Sequence, residues 1–267
     1  MVPEVAMYEH EYQQMYDVES FYWWFIARRK LIREVVSTHS KDPAHTTILD
    51  VGCGTGLNHE MLSEFGEVFG TDASEEALRF SRQRNIQNLV LSDAEALQFA
   101  DETFEIVTAL DVLEHVNDDL KAISEIWRVM KPDGVFVISV PAYGFLWSEH
   151  DEALHHRRRY AAHELRNKLI NAGFEVERST YFISSLFFPI LFMRIVQNLR
   201  KKSLRPSTSH VILPKWLNSF LVGILDFERW FLRFANLPFG VSIICTARKP
   251  TAERVAALRD VAMQAKS

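Results

Sequence analysis

Three glycines at alternate positions mark the segment with the clearest chemical meaning, Asp50-Val51-Gly52-Cys53-Gly54-Thr55-Gly56. Glycine lets the backbone adopt positive φ and lets a ligand approach the main chain closely. The segment follows a short β-branched run and precedes a predicted helix, whose N-terminus favours an anionic group. A dinucleotide site has the spacing G-x-G-x-x-G, whereas the spacing here is G-x-G-x-G. The segment therefore predicts a ligand-binding turn that differs from the dinucleotide fingerprint.

Three carboxylates stand at the ends of three successive predicted strands: Asp50, Asp72 and Asp93. Ligands of open α/β sheets bind at the carboxyl ends of the strands, where an acidic side chain accepts hydrogen bonds from ribose hydroxyls. Asp72 has this placement, which also occurs in NAD sites, and a helix-capping role is the structural alternative. The three positions together predict a nucleoside site along one edge of the sheet.

A histidine follows the next predicted strand, in Leu110-Asp111-Val112-Leu113-Glu114-His115-Val116. An unperturbed imidazole has a pKa near 6.5, so His115 is a candidate general base. The alternative is a structural histidine that caps a helix or shapes a pocket.

A polar loop follows the fifth predicted strand and is rich in His and Arg. Its candidate substrate-binding residues are Tyr143, His150, His155, Arg158 and Tyr160. The side chains of His150, Asp151 and His155 could bind a metal ion. No third carboxylate is evident beside them, however, and we expect no metal. Arg157, Arg158 and Arg159 offer bidentate donors for phosphate or carboxylate. The alternative for these arginines is a solvated turn paired with neighbouring acids.

Strands and helices alternate through the middle of the chain, which predicts parallel βαβ units. The predicted strands are 46–51, 67–71, 88–91, 104–110, 135–140, 174–181 and 241–248. Near-continuous apolar strands favour a sheet covered on both faces. We expect a Rossmann-like α/β fold: seven mostly parallel strands, the last one antiparallel, with helices on both faces.

Four segments are expected around this sheet. Residues 1–40 form an N-terminal helical cover, with a helix over 19–38; residues 41–182 and 241–250 form the ligand-binding core; residues 183–240 form an apolar helical insertion; and residues 251–267 form a tail helix. The insertion carries many aromatic residues beside Arg200, Lys201, Lys202 and Arg205. Apolar faces beside basic residues suit an anionic membrane surface or a lipid-like acceptor, whereas mutual packing or a homodimer interface would also bury them.

Composition narrows the function classes. The 267 residues carry a formal net charge of −5, which argues against a nucleic-acid partner. The two cysteines form neither a metal-spacing pattern nor a disulfide framework. The first twenty residues lack Lys, Arg and any apolar run, so no signal peptide is expected. We expect a cytoplasmic protein, with peripheral contact to the inner membrane face as a further hypothesis.

The glycine segment, the strand-end acids and the Leu-Glu-His-Val segment resemble the class I S-adenosylmethionine (SAM)-dependent methyltransferases. His150-Asp151, Arg158-Arg159-Tyr160 and the N-terminal Trp24-Phe25 and Arg28-Arg29 resemble a largely uncharacterised bacterial branch of small-molecule and lipid type. The resemblance implies SAM as cofactor, bound by Arg28, Asp50, Gly52, Cys53, Gly54, Gly56, Asp72, Ala73, Asp93, Ala94, Leu110 and Asp111.

The expected reaction is methyl transfer to a small-molecule or lipid-like acceptor. Oxygen or carbon is favoured as the methylated atom because a histidine is available, and the chain lacks an N-P-P-Y-like tetrapeptide after strand four. Two alternatives remain open: an NAD-dependent oxidoreductase and a non-catalytic SAM-binding protein.

Overall fold

The computed structural model describes residues 9–199 and 213–255, with side chains from residue 11 onward. The strands are β1 (Thr47–Val51), β2 (Glu67–Asp72), β3 (Leu89–Leu91), β4 (Phe104–Leu110), β5 (Met130–Pro141), β6 (Glu175–Phe182) and β7 (Ser242–Arg248). The helices are α1 (Glu9–Val18), α2 (Trp23–His39), α3 (Leu57–Leu62), α4 (Glu75–Gln83), α5 (Asp119–Val129), α6 (Glu149–Ala153), α7 (Ala162–Asn171), α8 (Phe187–Leu199) and α9 (Lys215–Phe231).

The seven strands form one sheet in the order β3-β2-β1-β4-β5-β7-β6. All neighbours are parallel except β7, which runs antiparallel to both β5 and β6. The expected α/β fold is therefore confirmed. The strand order reverses between β1 and β4, and ligands of such sheets bind in the crevice at that switch point.

Two apolar layers cover the sheet, as expected for nearly continuous apolar strands. One layer packs α5 and α7 against the sheet, and the other packs α2, α3 and α9. Ser74 caps α4 by accepting a hydrogen bond from the Ala77 amide at 3.2 Å.

The boundaries differ from the expectation in two places. The helix predicted over 19–38 starts at Trp23, because the chain turns at residues 19–22, and a separate helix, α1, precedes that turn. The strand expected to start at Val135 starts at Met130, since the Asp133 amide still donates to the Lys249 carbonyl at 2.8 Å.

The insertion supplies two cover helices, α8 and α9. Helix α9 is held against α2 by Lys30–Asp226 at 2.6 Å and by Arg233–Glu34 at 2.6 Å. Among the helices described, none combines the length and the apolar character that crossing a bilayer requires. The basic residues 200–205 and most of the predicted tail helix lie outside the described residues, although Ala252–Val255 are helical.

Candidate functional site

A cavity of about 790 Å³ opens at the carboxyl ends of β1, β2 and β4. The glycine loop and the strand ends form its floor, and residues of α1, α2, α6, α8 and α9 contribute to its walls. One continuous space therefore joins the predicted cofactor site to the helical cover.

The glycine loop places backbone, without side chains, against this space. Gly52 and Gly54 have φ of 64° and 56°, a region that other residues adopt at a cost of roughly 1–2 kcal/mol. A Cβ on Gly54 would contact only the Met15 methyl, at 3.5 Å. A Cβ on Gly56 would stand 2.5 Å from Ile86. Gly54 therefore keeps room for a ligand, whereas Gly56, which does not line the cavity, lets α3 and α4 pack.

Asp72 ties the loop to the end of β2. Its two carboxylate oxygens accept hydrogen bonds from the Gly54 and Ser74 amides, each at 2.9 Å. Burial raises the pKa of Asp72, and these amides oppose the rise. A carboxylate offers about four acceptor sites, so two remain for the hydroxyls of a ribose.

The next strand end supplies the predicted adenine contacts. Asp93 and Ala94 both line the cavity beyond β3, and Ala73 lines it beyond β2. The Asp93 carboxylate accepts from the Glu95 amide at 2.9 Å, which fixes its turn while leaving the residue exposed to the cavity.

An ion pair crosses the cavity at the end of β4. Arg28 of α2 pairs with Asp111, which also accepts from the Ser139 hydroxyl at 2.9 Å. The Arg28 guanidinium lies 4.4 Å from the Trp24 ring centroid, and its Nε has no hydrogen-bond partner. Leu110 lines the cavity beside them. Arg28 and Asp111, which were each expected to contact the cofactor, both line the cavity.

Asp50 lies beneath the loop and does not line the cavity. It is 1% exposed; one oxygen accepts from the Thr108 hydroxyl at 2.5 Å, and the other has no partner. Burial raises the pKa of Asp50 to about 6, against the opposing Thr108 hydrogen bond and the Arg28 charge. The structure thus places Asp50 behind the predicted methionine site, where its charge faces Arg28.

Glu114 and His115 reach the cavity between the cofactor loop and the cover. Burial, reinforced by nearby His156 and His155, lowers the pKa of His115 to about 3. Its imidazole is therefore neutral at physiological pH, which makes it a hydrogen-bond acceptor or ligand rather than a strong base. Glu114 is 0% exposed, and neither carboxylate oxygen has a hydrogen-bond partner.

Four of the five predicted substrate residues do not line the cavity. Tyr143 stacks on Tyr181 at 5.1 Å; Tyr160 is buried and donates to Asp119 at 2.8 Å; and Arg158 donates to the Asn117 carbonyl at 2.8 Å. His155 has a φ of 56°, which turns the chain so that the following residue faces the cavity. Only His150 lines the cavity as expected.

Three residues that were not predicted line the cavity instead: His156, Arg159 and Arg194. Asp151 orients two of them, accepting from Arg159 at 2.7 Å and lying 2.8 Å from His156 Nδ1. These contacts hold the pKa of Asp151 well below its usual range. All three arginines at 157–159 donate to protein oxygens, so they do not form the anion site considered above.

Sequence reasoning missed the role of Glu19 and the identity of the apolar wall. Glu19, 3% exposed, accepts from the Thr55 hydroxyl at 2.5 Å and from Arg84 at 2.6 Å, which holds the α1–α2 turn on the glycine loop. Glu19 is the only acidic residue at the predicted helix start, and that was the one available signal. The wall facing His115 is mainly apolar, with Trp23, Trp24, Leu186, Ile190, Met193, Leu217 and Leu221.

Comparisons with known proteins agree with this geometry. Residues 49–138 match the family model described as "Methyltransferase domain". The mouse mitochondrial arginine-hydroxylase NDUFAF5 is 41% identical over 92 residues, covering 33% of this chain and 27% of that protein. The demethylmenaquinone methyltransferase of Renibacterium salmoninarum is 34% identical over 146 residues, covering 53% and 61%.

The chain thus spans about a quarter of the first of these curated relatives and less than two thirds of the second. A SAM-dependent methyltransferase structure from Thermotoga maritima superposes with a TM-score of 0.56 at 18% identity, covering 90% of this chain and 95% of that one, which shows a shared fold. The loop, the strand-end acids and the sheet order agree with this shared fold. Residues 49–138 of the chain carry a methyltransferase domain, and they lie in a sheet with the fold of solved SAM-dependent methyltransferases.

Proposed function

We propose that this chain transfers a methyl group from SAM to a small, lipid-like acceptor, on oxygen or carbon. The observation that carries the proposal is one continuous cavity. It extends from the Gly54 backbone, which has no side chain, to the apolar wall formed by the cover helices. Proximity of two bound reactants is the main requirement of such a transfer, since alignment alone accelerates it strongly.

The residues present fit SAM. Gly54 leaves space that a side chain would fill, and Asp72 keeps free acceptor sites for the ribose. Asp93 and Ala94 lie where the adenine would bind. Arg28 and Asp111 would hold the carboxylate and ammonium of the methionine end, with the Asp50 charge behind them. Bound SAM supplies an electrophilic methyl on a sulfonium, which leaves as a neutral thioether.

The acceptor side combines an apolar wall with few polar groups. A neutral His115 can accept a hydrogen bond from an acceptor hydroxyl and orient its oxygen. Arg194 lines the same space and has no carboxylate partner among the described residues, so it would recognise an electronegative substituent. The relative named for demethylmenaquinone supports an acceptor of quinol type.

We also propose that the cover contacts an anionic membrane, from which an apolar acceptor would enter. Support comes from large apolar side chains on α8 and α9 that are 60% exposed or more: Phe188, Phe192, Leu199, Trp216, Phe220 and Phe227. An exposed apolar surface of this kind marks a binding face. A homodimer interface is the competing use of the same surface, and a concentration-dependent mass in solution would show it.

The test incubates the protein with methyl-labelled SAM and a lipid and metabolite extract, followed by mass spectrometry. A labelled product of quinol or lipid type that disappears with Asp72→Ala supports the proposal. SAM binding without any labelled product would indicate a non-catalytic SAM-binding protein. Reduction of NAD⁺ with the same extract would indicate the oxidoreductase instead.

A second experiment compares the wild type with the His115→Ala variant. His115→Ala should lower turnover while leaving SAM affinity within about twofold, because His115 lies on the acceptor side of the cavity. Full activity of this variant would remove His115 from the acceptor site.

A further inference from the structure

Three side chains that bind metals meet beside the cavity: Glu114, His115 and His156. One ligand atom from each lies within 4.8 Å of the other two, and all three residues line the cavity. They come from two distant parts of the chain, the turn after β4 and the loop after α6, so the fold alone brings them together.

The environment of the Glu114 carboxylate favours a bound cation. Glu114 is fully buried, and neither of its carboxylate oxygens has a hydrogen bond. A buried carboxylate without a partner is costly, and a cation in contact with it removes most of that cost. The nearby Arg159 is already bonded to Asp151, and Arg28 to Asp111.

The two imidazoles can each offer a ring nitrogen to a metal ion. His156 Nδ1 lies 2.8 Å from Asp151 Oδ1, so Nδ1–H donates to that carboxylate and Nε2 keeps its lone pair. A carboxylate behind a histidine is the arrangement that fixes a metal-binding tautomer. The His115 ring stands edge to face with the His156 ring at a centroid distance of 4.7 Å, and a neutral imidazole has one nitrogen lone pair to offer.

We propose that Glu114, His115 and His156 bind one divalent transition-metal ion of the zinc type. Two imidazoles and one carboxylate form a ligand set used by open zinc and iron sites, with further positions left for water or substrate. Tetrahedral zinc ligands stand about 3.3 Å apart at metal distances of about 2.0–2.2 Å. Closing the present separations needs side-chain shifts on the order of 1 Å. The proposal departs from the expectation of a site without metal.

The open coordination positions of the ion would face the part of the cavity where the acceptor is proposed to bind. With the ion present, His115 would hold the ion instead of the acceptor hydroxyl itself. The ion would bind an acceptor oxygen and favour the ionised form of a hydroxyl, the hydroxyl proton passing to water. This role, unlike metal binding itself, rests on the proposed methyl transfer. It narrows the acceptor to molecules with an ionisable hydroxyl, such as phenols and quinols.

The test uses the 267-residue chain without SAM. After treatment with a chelator, it is titrated with Zn²⁺ by calorimetry and with Co²⁺ by visible absorption. We expect one ion per chain and cobalt d–d bands. We expect Glu114→Gln and His156→Ala to weaken Zn²⁺ binding by about 100-fold or more, whereas His163→Ala, an exposed histidine of α7, should leave it unchanged. Thermal melts confirm that each variant is folded.

Absence of stoichiometric Zn²⁺ binding, or equal binding by wild type and Glu114→Gln, would overturn the proposal. Zn²⁺ binding with no methyl transfer would reject only the proposed function. Methyl transfer that persists unchanged in the chelated protein would overturn the ion's role at the acceptor.

Discussion

Asp50 provides a prediction that the structure makes quantitative. The change is Asp50→Asn, which removes a buried charge and keeps the side-chain shape. Burial raises the pKa of Asp50 from an ordinary 3.8 to about 6, which corresponds to about 3 kcal/mol of unfolding free energy. Because the folded protein binds the proton more tightly than the unfolded chain, this stability is fully present below pH 3.8. It is lost as the pH rises through about 6.

The assay is urea unfolding without SAM, followed by tryptophan fluorescence, at several pH values from 4 to 7.5. The unfolding free energy of the wild type, measured relative to Asp50→Asn, should fall by about 2.4 kcal/mol between pH 4 and pH 7.5, since part of the effect is already lost at pH 4. Glu253→Gln, which removes an exposed carboxylate, should run parallel to the wild type. If the wild type and Asp50→Asn also ran parallel within about 1 kcal/mol, burial would not be raising this pKa and the reasoning would fail.

Three further outcomes are expected. Asp72→Ala should weaken SAM binding at least about tenfold in calorimetry, and an unchanged affinity would contradict the ribose assignment. Gly54→Ala should reduce SAM affinity and lower Tm only through the cost of its positive φ. Gly56→Ala carries the same backbone cost, and its Cβ would also meet Ile86 at 2.5 Å, so it should lower Tm more. Equal melting losses would refute this division. Wild-type protein should float with anionic vesicles at low salt, and Trp216→Ser should float less. Leu120→Ser, which changes an exposed apolar residue on α5, should match the wild type. Absence of flotation would count against membrane contact.

The fold and the cofactor side of the site were predictable because their signals are local. The glycine spacing, the apolar strands and the acids at the ends of β2 and β3 are each read within a few residues. Parallel βαβ units with right-handed crossovers then bring the carboxyl ends of those strands to one edge. Gly52, Gly54 and Asp72 are accordingly found at the cavity.

The acceptor side was predicted less well because it depends on the direction of single side chains. In the loop after β5, the positive φ of His155 turns His156 inward, and Asp151 ties up Arg159. A sequence shows neighbouring His and Arg residues but not which of them faces the cavity. Four of the five substrate residues expected there therefore point elsewhere.

The sequence by itself determined the sheet, the glycine turn and the strand-end acids, since hydrophobic periodicity and backbone freedom act over short stretches. Only the tertiary structure decided that Glu114 is buried without a partner, and that it meets His115 and His156. The reason is that burial and desolvation are set by every element packed around a residue. For Glu114 those elements include segments more than forty residues away along the chain.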